Sequence, residues 1–295
     1  MKRMRGIIKM SKNGLSVSII FEASSANYGE GAGNISLLKK MTRAGGETYT
    51  YISRQAIRYN IVQQMGIDTT PVDGDQKVIQ FSPDTDISDY PEIDLFGYMK
   101  TGKGLTRNAV VRLSNAISLE PYKSDMDYLT NMGLSARKSE LKNSNAIAQS
   151  EIHKSLYCYT ITIDLDKVGI DTNTGTEIEK SERAERVKNL LDTIQFLYRD
   201  IKGRRENLNP IFAAGGVYER KNPYFEDRLK LSKKNLNVDV ISDVINSCSD
   251  TKENTIVGMI NGFFGNDNEI KEKLSAVSVS ELFAELKKEV DIYYA

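Results

Sequence analysis

The order in which strand-period and helix-period segments alternate leaves few folds open to this chain. Leu15-Ser16-Val17-Ser18-Ile19-Ile20-Phe21 alternates apolar and polar positions and reads as a half-buried first strand. Ser53 is placed to cap a helix running to about Met65, with Ile57, Ile61 and Met65 on its core face. Ala109 to Ile117 and Leu156 to Leu165, rich in β-branched residues or tyrosine, predict strands two and three. A second helix opens at Ser181, and Val187, Leu190, Leu191, Ile194, Leu197, Tyr198 and Ile201 keep the three-and-four spacing of one buried stripe. Ile211-Phe212-Ala213-Ala214, stopped by Gly215-Gly216, supplies strand four. The order β-α-β-β-α-β is the split ferredoxin-like arrangement, α+β in class, which RNA-recognition folds also use.

Three long excursions interrupt that frame: residues 22–52, 66–108 and 119–154. Excursions of this length in a compact fold usually carry function. The third holds Pro121, Asn131-Met132-Gly133 and Asn143-Ser144-Asn145, with Arg137, Lys138 and Lys142 between them, and predicts a projecting basic arm. Residues 239–295, notably Val279 to Ile292, predict helices in an outer layer.

The first excursion carries the strongest chemical signal. Ala26-Asn27-Tyr28-Gly29-Glu30-Gly31-Ala32-Gly33-Asn34 is followed by Lys39, Lys40 and Arg43, and then by the helix that Ser53 opens. Asn27, Asn34 and the glycines suit a loop that a sugar-phosphate backbone approaches closely. Unpaired N–H groups at the helix start would face an anion. Arg54 and Arg58, four apart, share one face beside Gln55. Forty Lys and Arg balance forty Asp and Glu over 295 residues, so the distribution of charge is what informs. Met1 to Arg58 holds ten basic residues against three acids, whereas residues 236–295 hold five Lys against eleven acids. A basic front and an acidic back suit one anionic partner and head-to-tail contact between copies.

Several chemistries are disfavoured. A single histidine, His153, excludes a multi-histidine metal site and a histidine-based triad with a second imidazole. Gly29-x-Gly31-x-Gly33 has neither the spacing of a dinucleotide fingerprint nor the Gly-Lys-Ser/Thr of a P-loop. No aspartate precedes Asp68, so the basic region lacks the ligands of a metal-assisted nuclease, with Glu22, Glu30 and Glu47 a thin substitute. Asp84, Asp86, Asp89, Glu92 and Asp94 read as a solvated acidic loop without ordered ligand spacing. Arg220, Lys221 and Arg228 around Asn222-Pro223-Tyr224-Phe225 mix charge with aromatics and suit nucleic acid. Cys158 and Cys248 sit in no metal or disulfide spacing, and no apolar run approaches a membrane span, so a cytoplasmic protein without a membrane partner is expected.

Four motifs in a fixed order resemble a known family. Ser53-Arg54-Gln55-Ala56-Ile57-Arg58, Asp94-Leu95-Phe96-Gly97-Tyr98-Met99, Val111 to Pro121 and Ser150-Glu151-Ile152-His153-Lys154-Ser155-Leu156-Tyr157 are similar to segments of CRISPR-associated Cascade backbone subunits, in particular the DevR-like branch of type I-B systems. The resemblance covers residues 14 to about 230. It implies a ferredoxin-like (RRM-like) palm from 14–65 and 109–230, a helical fingers insertion at 66–108, a thumb hairpin at 121–152 and a helical C-terminal region at 236–295. It also implies copies lined up head-to-tail as a helical filament on a guide RNA (crRNA), presenting it to target DNA in an R-loop beside other Cascade subunits. Ser53, Arg54, Gln55 and Arg58 would then be guide-backbone ligands, with Lys39 and Lys40 before them and Met132 or Leu134 a wedge at the thumb. The aspartate with which related type III subunits cut RNA has no counterpart, so no catalytic residue, metal or cofactor is expected. The alternatives are a guide-dependent ribonuclease of the type III kind, and a ferredoxin-like enzyme holding a nucleotide at Gly29 to Gly33.

Overall fold

The structure is a computed structural model that describes residues 11–130, 137 and 147–295, apart from 25, 30, 32, 44 and 75–78. β1 (Gly14–Ala23) leads to a hairpin of β2 (Lys40–Thr42) and β3 (Thr48–Ile52), then to α1 (Arg54–Met65). β4 (Val111–Leu113) and β5 (Ala116–Ser118) precede an arm of β6 (Asp125–Thr130) and β7 (Ile147–Ile152), and β8 (Ser155–Asp164) follows. After α2 (Lys180–Gln195) come β9 (Phe212–Tyr218), β10 (Ile256–Met259), β11 (Val277–Ser278) and α3 (Val279–Tyr294). The fold is mixed α+β.

All of these strands but β6 and β7 form one nine-stranded sheet in the order β11-β10-β9-β1-β8-β5-β3-β2, with β4 also paired to β8. The strands expected as fourth, first, third and second therefore lie side by side in that order. Central β1 pairs antiparallel with both neighbours, Ile19 facing Tyr159 on one side and Ala213 on the other. One sheet face packs Val17, Ile19, Phe21, Tyr157, Tyr159 and Ile161 against α1, α2 and α3. The other packs Ile20, Phe212 and Ala214 against Phe225, Leu229, Leu236 and Ile241. β1 is thus covered on both faces rather than half-buried, and its Ser18 hydroxyl is satisfied at 2.6 Å by that of Thr160. Each fully buried Ile or Phe there contributes about 1.5–3 kcal/mol.

The structure departs from the sequence expectations where local spacing mimics another element. The helix expected to reach Ile201 ends at Gln195, and Tyr198–Ile201 pairs instead with Arg204–Asn207. Lys202 and Gly203, both at positive φ, make the two-residue turn that reverses the chain there. Gly215 and Gly216 do not stop β9. They lie inside it because a Cβ on Gly215 would come within 2.6 Å of Val17 Cα, so β9 and β1 meet closely. The segment 66–108, expected to be helical, has one six-residue helix, Pro91–Phe96, and two short hairpins among its described residues. The C-terminal region is helical as expected, but it also supplies β10 and β11 to the sheet.

Candidate nucleic-acid interface

The start of α1 is held from three directions. Ser53 Oγ accepts the Ala56 N–H at 3.3 Å, which confirms it as the cap. Asn27 Oδ1 accepts from Ser53 Oγ at 2.7 Å and from the Ser53 N–H at 3.3 Å. Asn115 Oδ1 accepts the Arg54 N–H at 2.9 Å. Three of the four backbone donors at this end are therefore taken by side chains, contrary to the expectation of free N–H groups aimed at an anion. The anion-attracting chemistry rests on side chains instead. Arg54, Gln55 and Arg58 are exposed, and neither arginine forms an ion pair among the described residues. Arg58 lies 5.8 Å from the centre of the Phe96 ring, a cation–π contact that limits its sweep.

Asn115 reaches Arg54 because the strand carrying it is bulged. Leu113 faces Ile161 and Ile117 faces Cys158, four residues against three, so one extra residue sits at Ser114-Asn115. This bulge also splits the single strand expected from Ala109 to Ile117 into β4 and β5. Ser114 anchors it, its Oγ accepting the Thr160 N–H at 2.9 Å.

Two clefts meet at Arg54. One, of about 350 Å³, is walled by Gln55, Arg58, Phe96 and Arg112. The other, of about 260 Å³, is walled by Arg43, Asn115, Cys158, Asp227 and Lys230. Arg43 stacks 4.9 Å from the Tyr49 ring centre and meets Asp227 at 4.0 Å. Arg112 forks onto Asp164 at 3.1 and 3.2 Å. Burial would raise the Asp164 carboxyl, but Arg112, Lys221 and Lys167 outweigh it and hold the group below the usual range. Burial pushes the Cys158 thiol up to about 12, which favours its protonated form.

The glycine loop is not open. The Gly29 N–H donates to Leu37 O at 2.8 Å and the Lys39 N–H to Asn27 O at 2.7 Å. Ile35–Ser36 adds to β7 as a parallel strand, and Asn34, exposed, gives its carbonyl to the Gln149 N–H at 3.0 Å. Lys40, expected beside the guide backbone, pairs at 2.6 Å with Glu151, whose other oxygen accepts the Leu38 N–H at 2.7 Å. Burial alone would raise the Glu151 carboxyl, and these partners instead hold it low. Lys39 has no ion pair among the described residues. The arm is an antiparallel hairpin with Asp125 facing Ile152 and Thr130 facing Ile147. Tyr128 and Leu129 stand 64% and 65% exposed on its stem. Arg137 is exposed, while Met132, Leu134, Lys138 and Lys142 lie outside the described residues. Arg220, exposed at the end of β9, walls neither cleft.

One acid-base reading changes. Asp94, grouped with a solvated loop, is fully buried between Arg107 at 2.7 Å and Arg186 at 3.0 Å and accepts the Gly169 N–H at 2.9 Å. It fixes Pro91–Phe96, and so Phe96, against α2. His153 is buried with Nδ1 at 2.7 Å from Thr50 Oγ1, burial lowers its pKa, and it takes part in the wall of a cleft that also holds Glu120, Asp125 and Lys233. Among the described residues no cluster of three His, Cys, Asp or Glu is set to hold a metal ion, and no helix is long and apolar enough to cross a membrane.

Residues 15–225 match the model of the family described as CRISPR-associated negative auto-regulator DevR/Csa2. The chain belongs to that family. Its fold is similar, with a TM-score of 0.63 at 12% identity, to a solved chain described as "CRISPR RNA-guided surveillance complex, pre-nicking", covering 94% of this chain and 100% of that one. A second, described as "CRISPR RNA-guided surveillance complex", gives 0.61 at 14% identity, covering 94% and 99%. Comparison with curated proteins finds no match. In this DevR/Csa2 member the matched span holds α1, both asparagine clips and the arm. Asn115, Arg112 and Lys230 were missed in the sequence; the polar Ser114-Asn115 pair inside an apolar run was the readable signal for the first.

Proposed function

We propose that this protein is a non-catalytic, guide-RNA-binding backbone subunit of a type I CRISPR interference complex. The observation that carries the reading is the rigidly clipped start of α1, which presents Arg54, Gln55 and Arg58 between two clefts in a DevR/Csa2 chain. Such side chains meet phosphates and leave base edges free to pair with target DNA. The likeness over nearly the whole length of chains from RNA-guided surveillance complexes supports the same assignment. On this reading residues 14–65 and 109–230 are a ferredoxin-like palm, 66–108 the fingers, 121–152 the thumb and 236–295 an outer region. Copies polymerise along the guide in the cytoplasm beside other subunits of the complex. Asn27 serves by holding Ser53, and Lys40 by docking the loop to the arm, while Lys39, Arg43 and Arg54 face the guide.

Arg54→Glu or Arg58→Glu tests the reading by fluorescence anisotropy on single-stranded RNAs of unrelated sequence. Affinity should fall alike on all of them, with the salt slope shallower by about 0.7 for the lost phosphate contact. Affinity equal to the parent at low and moderate salt would overturn it. Labelled RNA incubated with the protein in Mg²⁺ or Mn²⁺ should stay intact, and cleavage at regular intervals would restore the ribonuclease alternative.

A further inference from the structure

The two clefts at Arg54 do not end the groove. Leu119 walls both the Arg43 cleft and a third, of about 380 Å³. That cleft shares Glu120, Lys154, Leu231 and Lys233 with a fourth, of about 420 Å³, which also has Lys234 and Phe263 on its rim. From Glu226 onward the far wall lies outside the span that matches the family model.

We propose that the track for single-stranded RNA continues along this groove onto the Lys233-Lys234 turn and Phe263. The inference rests on the guide-binding reading and extends it to a further set of contacts. Lys233 and Lys234 form the two-residue turn between Leu231–Ser232 and Asn235–Leu236, with Lys233 at φ 56°. Both are exposed and neither forms an ion pair among the described residues. Nearby acids are largely engaged. Glu120 accepts the Ser155 hydroxyl at 2.9 Å and the Leu156 N–H at 3.4 Å, and Glu22 meets Lys154 at 3.2 Å, leaving Asp125, among the described residues, as the carboxylate facing the turn's cleft without such a partner. Phe263 is 40% exposed. Its loop is stitched to the turn, because the Gly265 N–H donates to Lys234 O at 3.0 Å and Asp267 accepts the Gly262 and Phe264 N–H groups at 2.5 and 3.2 Å. Unpaired ammonium groups beside a fixed, exposed ring are the parts that bind phosphates and stack a base without reading sequence.

The test compares K233Q/K234Q, F263A and R54E with the parent, each checked for folding by circular dichroism, in binding an RNA longer than one subunit's groove. K233Q/K234Q should weaken binding and reduce the salt slope by about 1.4, two phosphate contacts at about 0.7 each. F263A should cost roughly tenfold in affinity with the slope unchanged, since stacking releases no counterion. If R54E is impaired while K233Q/K234Q and F263A bind as the parent, the track stops at the Arg43 cleft and this proposal fails alone. If all three bind as the parent, the guide-binding reading fails. If the lysine and phenylalanine variants alter self-association in sedimentation but not RNA affinity, the groove seats a second copy and the proposal is overturned.

Discussion

Asn115 does for α1 what a capping residue does, but from a distant strand, because the bulge at Ser114-Asn115 turns its amide onto the Arg54 N–H. Asn115→Ala should cost about 1 kcal/mol in denaturant unfolding and also weaken RNA binding, since Arg54 loses its fixed origin. An unfolding midpoint and RNA affinity both equal to the parent's would rule this out. Glu151 gives a pH-dependent counterpart. Its carboxyl titrates below the ordinary range because Lys40 and the Leu38 N–H outweigh its burial. A carboxylate with a depressed folded pKa stabilises the fold above its free value near 4.5, and that contribution is lost as pH falls through the depressed value. Glu151→Gln should therefore lose about 1 kcal/mol at pH 7 and should lose less additional stability than the parent between about pH 5 and 3. Thermal unfolding across that range decides it, and parallel curves for the two proteins would show that the pair carries no linkage.

At the scale of elements, the sequence showed the frame wherever a segment's periodicity was set by its own core face. α1, β8 and the first four turns of α2 were legible for this reason, and so was the Ser53 cap. β3 was missed although Thr48 to Ile52 alternates, because the glycines and basic residues before it dominated the reading; Gly45 and Gly46, at φ 97° and 83°, are the turn that pairs it with β2. The bulge was invisible because register depends on β8, forty residues away. Asp94 was misread because burial of a carboxylate needs Arg107 and Arg186, and the second is ninety-two positions distant. In the sequence Gly215-Gly216 reads as a stop, although a glycine in a strand also marks close backbone approach. That alternative has a measurable consequence. Gly215→Ala, whose Cβ would meet Val17 and Ser16, should destabilise by about 1–3 kcal/mol with helix content preserved, whereas Gly203→Ala, with nothing within 4 Å but φ at 74°, should cost about 1 kcal/mol from strain. Equal midpoints for Gly215→Ala and the parent would mean that β1 and β9 are not held as closely as the register requires.

The whole molecule carries no net charge, yet Arg54 and Arg58 stand on α1, Arg43 and Lys230 line the cleft beside it and Lys233 and Lys234 line another, while the last sixty residues carry eleven acids against five lysines. On the proposed reading, so uneven a distribution along the chain would give an elongated anion a preferred side and neighbouring copies a complementary one. The arm stem adds an apolar contribution, since Tyr128 and Leu129 are largely exposed in the single chain and gain by being covered. If copies line up on a guide, bound mass should rise with RNA length in steps of one chain, and the steps should weaken together as salt is raised because each depends on phosphate contacts. Mass photometry on RNAs of graded length measures this directly. Tyr128→Ser with Leu129→Ser should preserve the first step and weaken later ones, because those side chains sit on the projecting arm rather than in the Arg54 clefts. A bound stoichiometry fixed at one copy for every RNA length would remove polymerisation from the proposed function while leaving guide binding at α1 intact.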